Sequence, residues 1–76
     1  MATTFPRINM RATGKNIESL RKQKNLSVKG IQAFFGFDSP QAIYKWQWGD
    51  SLPSIDNLVV LATVFEVSIM NILVID

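Results

Sequence analysis

Three polar side chains on one predicted helix have the chemistry needed to contact base pairs. Gln41 and Lys45 are four residues apart and Tyr44 lies beside them, so the three share one side of the helix. A lysine donates to guanine O6 and N7, a glutamine pairs bidentately with adenine, and a tyrosine contacts a thymine methyl or a phosphate. The pattern therefore indicates binding to double-stranded DNA. The alternative is an exposed polar helix face without a ligand.

The residue types present argue against most enzymatic and metal chemistry. The 76 residues include no histidine and no cysteine, so the most common general base, thiolate nucleophiles and the usual zinc ligands are missing. The sequence also has no glycine-rich phosphate loop and no pair of carboxylates at a catalytic spacing. We therefore predict a protein that is not an enzyme, with no catalytic residue, metal, cofactor or small-molecule ligand.

The charges are distributed unevenly along the chain, although the formal net charge is only +2. Residues 1–37 carry seven basic side chains against Glu18 alone, whereas residues 38–76 carry five acidic side chains against Lys45 alone. A basic half favours a polyanion that approaches one side of the molecule. The alternative is a solvated basic helix.

Hydropathy favours one folded domain without a membrane segment. The apolar fraction of 47% suffices for a packed core. No segment is long and apolar enough to span a bilayer, and the N-terminal residues lack the apolar stretch of a signal peptide. We therefore expect a cytoplasmic protein that does not associate with membranes.

Apolar spacing predicts an all-helical domain that follows an N-terminal arm. We assign residues 1–14 to the arm, because Pro6 disrupts helices and the apolar residues there have no helical period. Residues 15–76 form the predicted domain. Its five helices are expected at about 15–25, 27–36, 39–49, 54–65 and 68–74.

Capping residues and glycines set the predicted ends of these helices. Ser27, Ser54 and Ser68 are expected N-caps, and Gly36 and Gly49 are expected to end the second and third helices. The third helix has two candidate caps, and a proline in its first turn. These residues are Asp38, Ser39 and Pro40.

The third helix is predicted to pack on the core through Ile43 and Trp46. These residues are three apart on the side opposite the polar face. Trp48 lies two residues further on, so its side chain is expected at the surface.

An ordered series of short motifs gives a more specific indication than any one helix. The series is Leu26-Ser27, Ile31, Phe35-Gly36-Phe37, Ile43-x-x-Trp46-Gln47-x-Gly49, Leu52-Pro53-Ser54, Leu58-x-x-Leu61-Ala62 and Phe65-x-Val67-Ser68. Over residues 15–73 the chain resembles the Cro and phage-repressor class of helix-turn-helix proteins, also called the xenobiotic-response-element (XRE) family. The resemblance implies a compact five-helix bundle of the lambda-repressor-like type, with the helix-turn-helix formed by helices 2 and 3.

The same resemblance implies a sequence-specific transcriptional regulator, repressor-like, that inserts helix 39–49 into the major groove. Its implied base contacts are Ser39, Pro40, Gln41, Tyr44 and Lys45. Its implied phosphate contacts are Ser27, Val28 and Lys29 at the start of the second helix, and residues of the loop after the third, namely Trp48 and Ser51.

Four positions depart from the pattern of that family. The turn between Gly36 and Ile43 is one residue longer, which makes positions 37–39 less secure. Val28 replaces a frequent glutamine, so its side chain cannot donate to a phosphate. Gln32 replaces a small alanine. A frequent arginine–glutamate pair becomes Arg21 with Gln47, which we expect to form a hydrogen bond.

Apolar residues outside the predicted core suggest a two-fold homodimer built from the fourth and fifth helices. They are Val60, Val64, Met70 and Val74. In the alternative, the arm covers these residues with its own apolar side chains, Phe5, Ile8 and Met10. A further alternative for the whole chain is a protein-interaction module, such as an antitoxin or assembly factor, on a helix-turn-helix scaffold.

Overall fold

Five α-helices account for most of the part of the chain that the computed structural model describes, residues 5–76. In chain order they are α1 (Met10–Gln23), α2 (Val28–Phe35), α3 (Gln41–Trp48), α4 (Ile55–Phe65) and α5 (Ile69–Ile72). Over this range the predicted all-helical class and the five-helix order are confirmed. Residues 1–4 of the predicted arm lie outside the described residues.

The first helix begins five residues earlier than the predicted position 15. Asn9 is its N-cap, and the Asn9 side chain accepts a hydrogen bond of 2.9 Å from the backbone N–H of Ala12. Residues 10–14, predicted as arm, are therefore helical. The apolar period failed to show this because the buried positions of the first turns are Thr13 and Gly14.

Serine caps and left-handed glycines set the other helix ends largely as predicted. The Ser27 and Ser54 hydroxyls accept from the backbone N–H groups three residues later, at 2.9 and 3.2 Å. Ser68 occupies the N-cap position of α5 without a side-chain hydrogen bond. Gly36 and Gly49 close α2 and α3 with φ of 69° and 80°, which a residue with a Cβ adopts only at a cost.

The start of α3 and the end of α5 differ from prediction. Pro40 itself is the N-cap of α3 and no side chain caps the helix, so Asp38 and Ser39 lie in the exposed turn before it. Its missing N–H costs nothing there, while its carbonyl accepts from Tyr44 N at 3.2 Å. The fifth helix stops at Ile72 because the chain becomes extended at Leu73.

The core takes at least one fully or almost fully buried apolar side chain from each helix. They are Ile17, Ile31, Ile43, Trp46, Leu58, Leu61, Phe65 and Ile72. Because α3 contributes two of these residues, its inner side is fixed to the body of the domain.

The backbones of α1 and α3 approach each other closely at Gly14. A Cβ at Gly14 would lie 2.6 Å from the Gln47 carbonyl oxygen and closer still to the Trp46 carbonyl oxygen. At the other end of this contact, a Cβ at Gly49 would lie 2.8 Å from the Cα of Arg11. The contact leaves no space for side chains larger than hydrogen at either glycine, so it fixes the position of α3.

The segment before α1 pairs with the C-terminal segment. Asn9 N donates to Val74 O at 2.7 Å, Asp76 N donates to Arg7 O at 2.8 Å, and Ile8 and Ile75 form an isolated antiparallel bridge. Residues 7–9 therefore hold residues 74–76 beside α1. Across residues 5–76, no helix is long and apolar enough to cross a membrane.

Candidate nucleic-acid interface

The outer side of α3 presents four exposed side chains. Gln41, Tyr44, Lys45 and Trp48 follow the spacing i, i+3, i+4 and i+7, which places them on one side of an α-helix. The opposite side carries the buried residues Ile43, Trp46 and Gln47. The expected shared face of Gln41, Tyr44 and Lys45 is thus present, and α3 has a fixed inner side and a free outer side.

An aromatic cluster holds the inner side of α3 against the end of α2. The Phe35 and Phe37 rings stack with centroids 4.8 Å apart, and both meet the Trp46 ring edge to face, at 5.5 and 6.1 Å. Such arrangements add to the stabilisation from burial alone. Trp46 is only 4% exposed and Trp48 is 62% exposed, which confirms the predicted orientation of the two indoles.

Arg21 ties α1 to α3 and to the start of α2. Its Nε donates to Gln47 Oε1 at 2.9 Å, and its Nη1 donates to the Leu26 carbonyl oxygen at 2.8 Å. The predicted Arg21–Gln47 hydrogen bond is therefore confirmed. One guanidinium in this way connects the three elements that determine where the outer side of α3 points.

The turn between α2 and α3 is held by Gln32. Its Nε2 donates to the Phe37 carbonyl oxygen at 3.0 Å. An alanine at position 32 could not make this bond, so the Gln32 side chain links α2 to the turn that follows it. The turn leaves Ser39 exposed and Pro40 half-buried at the N-terminal tip of α3.

The start of α2 offers backbone N–H groups and one lysine. The Ser27 hydroxyl oxygen already accepts from Gly30 N, and the Val28 side chain packs against the core. Lys29 is exposed. An anion at this end would therefore meet the Lys29 ammonium and the N–H groups of the first turn, rather than a side chain at position 28.

Of the residues expected in the loop after α3, Trp48 belongs to the helix itself. Trp48 is the last residue of α3, and its ring stacks on Tyr44 with a centroid separation of 5.7 Å. Ser51 is half-buried, and the N–H groups of Asp50 and Ser51 both point to Lys45 O, at 2.9 and 3.4 Å. The chain therefore curls back over the C-terminal end of α3.

Arg11 lies beside the candidate surface, a position that helical spacing along the chain does not predict. It is exposed, and the close approach of its Cα to Gly49 places it beside the end of α3. The Arg11 backbone therefore lies beside Gly49, and its exposed side chain adds a cation to this end of α1. Only the α1–α3 packing could reveal this, because 38 positions of sequence separate Arg11 from Gly49.

The residues expected at a dimer interface are less exposed than predicted. Val60, Val64 and Val74 are half-buried, and Val64 packs against the core, whereas Met70 is 63% exposed. The exposed apolar pair on α4 is instead Ile55 and Val59, at 76% and 49%. The apolar surface of α4 is therefore rotated by about one residue from the predicted stripe.

In the alternative, the arm covers this surface; its described residues 5–9 reach the surface only at one edge. The arm lies along Val74 through backbone hydrogen bonds. Phe5 and Ile8 of the arm, and Met10 at the start of α1, remain 77%, 41% and 37% exposed. Met70 also stays exposed, so apolar surface remains on α5 beside the described residues 5–9 of the arm.

Solved structures of DNA-binding domains share this backbone. The DNA-binding domain of BldD aligns with a TM-score of 0.71 and 20% sequence identity, covering 86% of this chain and 93% of that one. The DNA-binding domain of BldD from S. venezulae gives the same TM-score and identity, covering 86% and 96%. The likeness confirms the predicted five-helix fold. No protein-family model matches the sequence, and no curated protein matches it significantly.

Proposed function

We propose that this chain binds double-stranded DNA in a sequence-specific manner and regulates transcription as a repressor-like protein of the Cro and phage-repressor type. The observation that carries the proposal is the outer side of α3, where Gln41, Tyr44 and Lys45 project from a helix fixed on its other side. A B-form major groove admits one α-helix, and these side chains match the donors and acceptors of base edges.

Base recognition is assigned to the tip and the middle of α3. Gln41 and Lys45 form the central hydrogen-bonding pair, with Tyr44 beside them. Ser39 contributes its hydroxyl from the turn, and Pro40 makes apolar contact only, because it has no N–H. Because no side chain caps this end, the first N–H groups of α3 are free to donate to the DNA.

Phosphate contacts are assigned to both ends of the helix-turn-helix. At the start of α2 they come from Ser27, Val28 and Lys29, the first two through backbone N–H groups. After α3 they come from Trp48, through its indole N–H, and from Ser51. Arg11 completes this second group with a cation.

The solved BldD domains support the proposal by analogy. They are described as DNA-binding, and they have the fold of this chain over 86% of its length. Shared fold alone does not establish shared function. The analogy therefore supports DNA binding in general, while the specific contacts rest on the outer side of α3.

The exposed apolar surface of α4 and α5 favours a homodimer as the DNA-binding form. This surface consists of Ile55, Val59 and Met70. The sequence-predicted interface residues Val60, Val64 and Val74 lie next to it. A single recognition helix discriminates poorly among genomic sites, and a two-fold pair doubles the readout. Were α3 not to contact DNA, the same surface would instead serve a protein-interaction module.

Salt-dependent binding to duplex DNA tests the proposal. Affinity for random duplex should fall steeply with salt, because each neutralised phosphate releases counterions. Gln41→Ala and Lys45→Ala should each cost about 1–3 kcal/mol at a preferred site and less on random DNA. Lys22→Ala is the matched control, since Lys22 is exposed and lies near Glu18 on α1 at 3.9 Å.

Two results would overturn the proposal. One is the absence of salt-dependent duplex binding by the wild-type chain. The other is an equal loss for Lys45→Ala and Lys22→Ala on preferred and random DNA, which would make Lys45 a general contributor of charge rather than a reader of bases.

A further inference from the structure

Two large aromatic side chains stack on each other at the surface of α3. The Tyr44 and Trp48 rings are 21° from parallel with centroids 5.7 Å apart. Trp48 is 62% exposed and Tyr44 is 37% exposed, and neither belongs to the Phe35–Phe37–Trp46 cluster. The pair therefore forms an apolar surface outside the core, on the same side of α3 as Gln41 and Lys45.

The position of the pair determines what it would meet. When Gln41 and Lys45 face base edges, residues 44 and 48 face the same groove, because all four share one side of the helix. The hydrogen-bonding groups of the bases suit Gln41 and Lys45. The apolar group that base pairs present in the major groove is the C5 methyl of thymine.

The internal stacking of the pair favours duplex over single-stranded DNA. Single strands bind to aromatic platforms by stacking their bases on open ring faces. Here the two rings are stacked with an offset and partly cover each other, so a base cannot insert between them without separating them. A methyl group, by contrast, can rest on the outer surface or the edge of the stacked pair.

We propose that the stacked Tyr44–Trp48 pair contacts thymine methyl groups, so that the preferred site contains thymine next to the bases read by Gln41 and Lys45. The proposal rests on the proposed binding to duplex DNA and goes beyond it by naming a base and two residues. It adds a role to Trp48, whose indole N–H serves a phosphate while the ring surface provides the sequence-dependent contact.

Replacing thymine by deoxyuridine removes only the C5 methyl group and so tests this contact. With a preferred duplex from selection, single replacements at one or two positions should weaken wild-type binding about fourfold each, the expected effect of one buried methyl-sized group. Trp48→Ala and Tyr44→Ala should weaken binding to the thymine duplex and should no longer distinguish it from the deoxyuridine duplex. Tyr44→Phe keeps the ring and should retain the distinction.

Phe34→Ala is the matched control. Phe34 is 64% exposed, as Trp48 is, but it lies on α2. This variant should respond to deoxyuridine as the wild type does. Urea unfolding midpoints close to wild type for the two alanine variants would show that lost discrimination comes from the lost rings.

The failure of this inference is distinguishable from the failure of DNA binding. Salt-dependent, sequence-specific binding that no deoxyuridine replacement weakens would refute the methyl contact and leave the proposed function intact. If the chain binds single strands more tightly than the duplex, and Trp48→Ala loses this binding, the aromatic pair stacks on bases and does not contact thymine methyl groups. The absence of duplex binding would refute both proposals.

Discussion

Replacing Gly14 by alanine should destabilise the domain although it improves the local helix. This change would stabilise an isolated helix by about 1 kcal/mol, because glycine is a poor helix former. In the folded chain the new Cβ would lie 2.6 Å from the Gln47 carbonyl oxygen, and even nearer the Trp46 carbonyl oxygen. Both atoms belong to the main chain, so no side-chain rotation relieves the overlap.

The expected net cost is about 2 kcal/mol. Overpacking a close contact typically costs about 1–3 kcal/mol, and the rigid backbone of α3 places this case near the upper end. Subtracting the gain in helix propensity leaves about 2 kcal/mol. That loss is a large part of the total free energy of unfolding, which is roughly 4–11 kcal/mol for a domain of this length. It should lower the Tm by about 8–16 °C.

Urea and thermal unfolding of Gly14→Ala and Gly30→Ala provide the assay. Both glycines are helical, but a Cβ at Gly30 meets only the Ser27 hydroxyl oxygen, at 3.3 Å. Gly30→Ala should therefore unfold at the wild-type midpoint or slightly above it. A Gly14→Ala variant as stable as the wild type, or two alanine variants with equal effects, would refute the close approach of α1 and α3.

Three further predictions concern the packing of the domain and its assembly. Trp46→Ala should lower the free energy of unfolding in urea by about 3–5 kcal/mol, and Trp48→Ala by less than about 0.5 kcal/mol. In single-tryptophan variants, iodide should quench the fluorescence of Trp48 but hardly that of Trp46, and a readily quenched Trp46 would contradict its burial. Asn16→Ala should cost about 1–2 kcal/mol, because the Asn16 side chain donates to Asn71 O and Ile72 O at 2.7 and 2.9 Å; an unchanged unfolding midpoint would show that these bonds do not hold α5. The wild-type chain should sediment as a dimer at tens of micromolar, and Val59→Lys should abolish this dimer without changing the circular dichroism spectrum. A wild-type chain that stays monomeric on a palindromic duplex would refute the proposed dimer.

The sequence predicts helices best where apolar spacing and caps agree. Ser27 with Gly36, and Ser54 with the apolar stripe of α4, mark their helices to within one residue. The start of α1 has no such agreement. Its first buried positions are Thr13, whose hydroxyl oxygen accepts from Val74 N at 2.9 Å, and Gly14, which is buried by α3. Both are tertiary effects that spacing along the chain does not contain.

In the candidate site too, the sequence predicts what depends on spacing along one helix but not what depends on how helices pack together. The inward Trp46 and the outward Trp48 are predictable because helical spacing within α3 fixes which side each residue occupies. The Arg21–Gln47 bond is expected only from the family resemblance, because spacing within α3 does not name a partner on α1. The proximity of Arg11 to the end of α3 is not predictable, because it depends on how two helices pack. The exposed apolar residues of α4 are Ile55 and Val59, about one residue away from the predicted Val60 and Val64, because Val64 packs against the core.

Selection of preferred duplexes from a random pool, at a stated salt concentration, tests the central claim that the outer side of α3 reads DNA sequence. We expect the wild-type chain to enrich one consensus with two inverted half-sites about one helical turn, ~34 Å, apart. Gln41→Ala and Lys45→Ala should each relax the preference at one position in each half-site and leave the other positions unchanged. A pool without any enriched sequence, or a consensus that both variants reproduce in full, would contradict it.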